Sequence, residues 1–255
     1  PAYYVKEGIK KIESMQLYDG SIAYWQGGNY SNWWGSIYAA HFLLEAKKAK
    51  FNVSENTLDR LLDYIGKKAK EPSTYNYVTY SSSGSRTIIN IADKEILYSL
   101  YVLAIAKKVD LSTMNYYKAR LSLLSEDSKY FLAGAYAFAG RWNSYYEIIP
   151  KTYEPVYPER LTGGSFDSEI RSNALMLNVL LDLEPSNKQI PLIIKYLTKN
   201  LEKVYSTQDQ SFTFLALGKS AKNVSGNSLK AEFFVDGKSV GKCDGKDLTI
   251  QDKRL

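Results

Sequence analysis

The sequence predicts an all-α fold, an α/α toroid of alternating inner and outer helices that is incomplete, with a short β segment at its C-terminal end. Three observations predict it. Two kinds of helical segment alternate along the chain, the links between them are unequal in length, and the composition changes character after Ser220. With 255 residues, 45% hydrophobic and 24% charged, the chain is long enough to bury a substantial core.

The strongly apolar segments are residues 34–46 (WGSIYAAHFLLEA), 95–106 (EILYSLYVLAIA), 130–140 (YFLAGAYAFAG), 168–183 (SEIRSNALMLNVLLDL) and 209–217 (DQSFTFLAL). Apolar residues lie almost all round them, as in helices covered on every side. Between them run residues 5–17, 54–70, 112–124, 142–149 and 189–204, whose Lys, Asp and Glu fall opposite an i, i+3, i+4 apolar stripe. These read as outer helices with one face in water. Successive inner helices recur every ~35 to 60 residues, close to the range of helix-pair repeats.

Helix starts follow the same parsing. Thr207-Gln208-Asp209-Gln210 has the form of a capping box, Ser54, Ser112, Ser125 and Asp167 stand where N-caps belong, and Pro191 falls in a first turn. The links 107–111 and 184–188, from inner to outer helices, are short. Those from outer to inner, 18–33, 71–86 and 150–166, are long, so antiparallel alternation gathers the long loops at one end. Functional residues concentrate on such loops. Within them Asp19-Gly20 marks a turn, Trp25 is expected to pack over helix ends, and Ser81-Ser82-Ser83-Gly84-Ser85 is a flexible tip.

Residues 229–250 (LKAEFFVDGKSVGKCDGKDLTI) place β-formers around Asp236-Gly237 and Asp244-Gly245, which are hairpin turn signals. The domain boundaries expected are therefore 1–222 for the toroid and 223–255 for the start of a β-rich domain. The opening at Pro1 and the close at Leu255, just after a strand-like run, suggest a piece of a longer protein.

Composition narrows the chemistry. A net charge of +6 comes from lysines scattered through amphipathic stretches, which argues against nucleic acid as a partner. No run approaches a membrane span. A single cysteine, Cys243, rules out an internal disulfide and a cysteine zinc cluster. No cofactor or metal is implied. His41, the only histidine, lies inside YAAHFLLEA and reads as a hydrogen-bonded core residue. Asp19 with Asp93, Asp167 or Glu169 could form a paired-carboxylate site, but turn and helix-dipole roles explain each of them.

The set Gln16, Asp19-Gly20, Trp25, Trp34 and YAAHFLLEA, followed by FNVSENTLDRLLDYI, resembles the helical domain of bacterial alpha-2-macroglobulin family proteins. FDSEIRSNALMLNVLLDLEP and STQDQSFTFLALGKSA resemble its later repeats, so that residues 3–222 are covered. The resemblance implies an α/α toroid inside a large periplasmic or cell-surface protein that traps proteases, whose thioester joins a Cys and a Gln of a Cys-x-Glu-Gln motif. Cys243 is followed by Asp244-Gly245-Lys246 and does not match that motif. Members that acylate hydroxyl groups carry a histidine in the loop corresponding to residues 71–86, where EPSTYNYVTYSSSGSR has none.

The function expected is thus a non-catalytic helical domain acting through protein contacts. Target proteases and other domains of the parent chain are the partners, and a lipid anchor on the parent is left open. The long-loop end supplies the candidate binding residues Trp25, Trp33, Tyr75, Tyr77, Tyr80 and Asp167. Two alternatives remain at this stage. One is a carbohydrate-active lyase or hydrolase using Asp19 and Asp167, the other a terpenoid-cyclase-like relative.

Overall fold

The computed structural model describes residues 2–163, 166–224, 231–235 and 238–243. Its elements run α1 (Ala2–Met15), β1 (Ile22–Ala23), β2 (Ser31–Asn32), α2 (Trp33–Lys48), α3 (Glu55–Lys68), β3 (Thr74–Tyr80), β4 (Arg86–Ala92), α4 (Lys94–Ile105) and α5 (Leu111–Lys118). There follow α6 (Glu126–Phe138), α7 (Trp142–Ile148), α8 (Glu169–Leu183), α9 (Ile190–Lys199), α10 (Thr207–Val224), β5 (Ala231–Val235) and β6 (Lys238–Cys243).

The even-numbered helices carry the apolar segments and form the inner layer, α2 packing on α4, α4 on α6, α6 on α8 and α8 on α10. Side chains bring α10 back to α2, where the Tyr38 and Phe212 rings lie 5.3 Å apart and Lys219 pairs with Glu45 at 3.1 Å. Tyr98, stacked on Phe131 at 4.9 Å, is buried among them with Tyr101, Leu43 and Leu180. The odd-numbered helices lie outside, α3 over α2 and α4, α7 over α6, and α9 over α8. Burial of one stripe on α3, through Leu58, Leu61, Leu62 and Ile65, is what holds such a helix in place.

Helix ends agree with the sequence in part. Ser54 caps α3 by accepting the Thr57 N–H, and Pro191 lies in the first turn of α9. Asp110, not Ser112, caps α5, and Ser168, not Asp167, caps α8. Ser125 occupies the cap position of α6, but its hydroxyl donates to Asp127 instead. The capping box of α10 is Ser206 with Asp209, each side chain accepting the other's backbone N–H. It lies one residue ahead of the box read from the sequence, because a side-chain acceptor at the third helical position serves as well from Asp as from Gln.

The largest departure is at residues 71–92. The sequence reading of residues 71–86 as a loop is corrected by an antiparallel hairpin of two seven-residue strands, in which β3 pairs with β4 from Thr74↔Ala92 to Tyr80↔Arg86. The β-branched and aromatic residues of TYNYVTY and RTIINIA are the signal that the surrounding helical pattern obscured. The Ser81–Ser85 tip is closed by Ser81 N–H to Ser85 O and Gly84 N–H to Ser81 O. The other long link reaches this hairpin, since Tyr80 N–H donates to Tyr157 O and Glu159 N–H to Val78 O. In the tail, β5 pairs antiparallel with β6, while the expected turns Asp236-Gly237 and Asp244-Gly245 both lie outside the described residues.

The Asp19-Gly20 turn is a structural corner. Asp19 accepts from the backbone and hydroxyl of Ser21, Gln16 donates to Thr57 O, and Arg60 donates to Leu17 O and Tyr18 O. Gly20 has φ +91°, and a Cβ there would stand 2.4 Å from the Arg60 carbonyl oxygen, so only glycine fits.

Candidate interaction face at the long-loop end

The N-terminal ends of the inner helices meet at one end of the molecule and are tied by a buried ionic cluster. Lys94, the first residue of α4, reaches Asp127 in the first turn of α6 at 2.5 Å and both carboxylate oxygens of Asp167 at 2.9 Å. Arg171 of α8 donates to Asp167 at 2.8 Å, and its guanidinium lies 4.1 Å from the ring centre of Trp34 at the start of α2. Asp209 of α10 accepts from the Ser168 hydroxyl and from Arg160. Lys94, Asp127, Asp167 and Arg171 are all buried, and their formal charges cancel.

Burial pulls the Lys94 ammonium towards its neutral form, but Asp127 and Asp167 outweigh it and hold its pKa well above the usual lysine value. Burial likewise raises Asp127, and the Lys94 charge with hydrogen bonds from Lys94, Ser125 and Ser172 brings it below the ordinary aspartate value. Lys94 and Asp127 are therefore held as an ion pair, each desolvated charge offset by its partners.

Tyr75 and Tyr77 of β3 cover this cluster. The Tyr77 ring centre is 5.2 Å from Lys94 Nζ, and the enclosed Tyr75 hydroxyl finds no hydrogen-bond partner among the described residues. Burial drives both phenols well above the usual tyrosine pKa.

Of the six residues read from the sequence, the structure thus gathers three, Tyr75, Tyr77 and Asp167. Tyr80 stands farther out at the end of β3, half-buried. Trp33 is half-buried, its indole N–H donating to Ser99 and Lys68 lying over its ring at 5.6 Å. The expectation that Trp25 packs over helix ends is corrected: it is 74% exposed and meets Tyr24 edge-on at 5.0 Å. A tight turn follows it, Gly28 N–H donating to Trp25 O at 2.9 Å with Gly27 at φ +78°. Lys94, Asp127, Arg171 and Asp209 were missed. Each reads locally as an ordinary helix-start charge, and their convergence is a property of the tertiary fold.

The paired-carboxylate idea finds no geometry to support it, since Asp167 is enclosed in ion pairs and Asp19 is committed to Ser21. His41 is a core residue, its Nδ1 2.8 Å from the Tyr98 hydroxyl, and burial, reinforced by Lys219, lowers its pKa to about 4. Among the described residues no group of three or more His, Cys, Asp or Glu is placed to hold a metal, and no helix is long and apolar enough to cross a membrane.

The arrangement defines a class: a two-layer α/α domain whose inner-helix N-termini converge on a loop-rich end. No protein-family model and no curated protein matches the sequence. Solved structures do share the fold. Native Escherichia coli alpha-2-macroglobulin aligns over 91% of this chain and 14% of its own, at 22% identity and TM-score 0.69. Salmonella alpha-2-macroglobulin reacted with methylamine aligns over 82% and 14%, at 22% identity and TM-score 0.64. The E. coli protein activated by porcine elastase aligns over 92% and 21%, at 20% identity and TM-score 0.67. The chain therefore has the fold of one part of bacterial alpha-2-macroglobulins and spans well under a quarter of the length of these solved chains.

Proposed function

We propose that residues 1–222 are the helical domain of a bacterial alpha-2-macroglobulin-like protein, with 223–255 opening a following β-rich domain. The domain serves protease trapping as a non-catalytic scaffold, through contacts made at its long-loop end, in a protein of the periplasm or cell surface. The observation that carries this reading is the fold likeness, which takes in most of this chain yet only a small share of the solved ones. It fits one domain of a long polypeptide. The enclosed state of the ionic cluster supports a structural role, because Lys94 and Asp167 have no open face for a substrate.

Methylamine and elastase act on the solved relatives, and the same reagents test the proposal here. A thioester elsewhere in the same polypeptide would find no histidine in residues 71–86 to activate a hydroxyl, whereas an amine is already a competent nucleophile. The polypeptide carrying this chain, treated with elastase, should incorporate labelled methylamine in preference to glycerol. The isolated chain should label with neither. Labelling of the isolated chain, or protease capture that survives deletion of residues 1–222, would refute the reading.

A further inference from the structure

The β3–β4 hairpin has one occupied edge and one open edge. The register pairs residues whose numbers sum to the same value throughout, and the flanking bonds Ser81 N–H to Ser85 O and Asp93 N–H to Ser73 O fix its hydrogen-bonded pairs as the odd-numbered ones. Even-numbered residues therefore turn their backbone groups outward. On β3 these groups are used, Tyr80 and Val78 bonding to Tyr157 and Glu159. On β4 the outward groups belong to Arg86, Ile88 and Asn90, and among the described residues no backbone bond meets them from outside.

This edge lacks the usual protection. Between Thr87 and Ile91 there is no proline, no charge and no register shift, and the run is rich in β-branched residues. Residues 86–90 are all exposed, and Ile88 and Ile89, on opposite faces of the ribbon, are 52% and 41% accessible. A cation stands at one end: Arg86 lies beside the tip, whereas Arg120, ahead of the one-turn helix Leu121–Leu123 that packs against β4, keeps its guanidinium over the Tyr116 ring at 3.9 Å.

We infer that β4 is a docking edge that takes an extended, β-branched partner segment carrying a carboxylate at the end that meets Arg86, by strand addition opposite Arg86, Ile88 and Asn90. Main-chain hydrogen bonds supply the affinity, the two isoleucines contact alternate partner side chains on the two faces, and Arg86 selects acidic over basic segments. The inference goes beyond the proposed function and stands or falls independently of it.

The test titrates the whole chain, labelled for amide NMR, with acetylated and amidated Glu-Thr-Val-Thr-Val-Glu, and separately with the same peptide carrying lysine at both ends. The acidic peptide should shift the amides of Arg86, Ile88 and Asn90 more than those of Thr87 and Ile89, and bind at least tenfold more tightly than the basic one. Ile88→Pro removes an outward N–H without touching the β3 pairing, so it should keep the helical circular dichroism and lose the response. Arg86→Glu, an exposed change, should reduce or reverse the charge preference even where the proline variant fails to fold. Absent shifts, shifts centred elsewhere, or a response unchanged in both variants would overturn the inference. So would amide shifts that depend on protein concentration without peptide, because the occupant would then be a second copy.

Discussion

Replacing Lys94 by Met isolates what the buried cluster contributes. The change removes the only cation paired with Asp127 among the described residues, leaving it Ser125, Ser172 and the Ser128 backbone, while Asp167 keeps Arg171 and Ser172. One buried carboxylate is thus stranded. Breaking such a pair from one side costs about 3–5 kcal/mol. For a domain of this size that corresponds to a fall in Tm of about 6–20 °C, at ~2–4 °C per kcal/mol. Adding Asp127→Asn, which keeps the oxygen that Ser125 and the Ser128 N–H reach but removes the charge, should recover most of the loss. Urea unfolding of the two single variants and the double variant closes the cycle, with an expected coupling of ~2 kcal/mol or more between the sites. A cost below about 1 kcal/mol for Lys94→Met, or no recovery in the double variant, would refute the assignment of a stranded charge.

Further outcomes follow from single residues. Gly20→Ala should destabilise by more than about 1 kcal/mol in urea unfolding, since φ +91° and a Cβ contact of 2.4 Å with the Arg60 carbonyl both oppose it. Gly134→Ala should cost ~1–3 kcal/mol by the same measurement, because its Cβ would stand 2.7 Å from the Tyr101 ring where α6 meets α4. His41 is neutral in the fold with a pKa of about 4 against 6.5 unfolded. Between those values the unfolded chain binds a proton that the folded chain refuses, so stability is undiminished above pH 6.5 and falls by about 3 kcal/mol as the pH drops to 4. His41→Gln should flatten that slope in a pH series of unfolding curves, at a cost near 1 kcal/mol at pH 7 from the weakened bond to Tyr98.

The alternation of inner and outer helices was legible because burial on all sides and burial on one stripe leave different periodic traces. α3 and α4 show this, one amphipathic and one apolar throughout. The gathering of the long links at one end followed from antiparallel alternation alone, and the bonds from Tyr80 and Glu159 bear it out. The hairpin was less legible, since its polar Ser-Gly tip reads as a loop and neither strand alternates strictly, so that only the aromatic and β-branched residues mark them as strands. The cap of α8 shifted by one residue because Asp167 and Ser168 are both competent caps, and the choice depends on Lys94 and Arg171 claiming the aspartate. No local pattern carries that information.

Why charges sit in this position at all has a physical answer. The inner helices direct their N-termini, and hence the positive ends of their dipoles, at the same region, which favours anions there. Asp127, Asp167 and Asp209 supply them, at the starts of α6, α8 and α10. Three carboxylates gathered at one end would repel, and three cations relieve this, Lys94 and Arg171 from the inner helices and Arg160 from the link before α8. Lys94 enters at the first residue of α4, the end of a helix least suited to a positive charge. It can do so because two carboxylates outweigh the single dipole it opposes, and because Tyr77 presents its ring face to the ammonium. Each ion is thus satisfied only when α4, α6 and α8 stand in their native order. An apolar substitute could fill the space, but it would not reject a rotated or slipped neighbour, so the cluster fixes the register of the inner layer and with it the placement of the loops above.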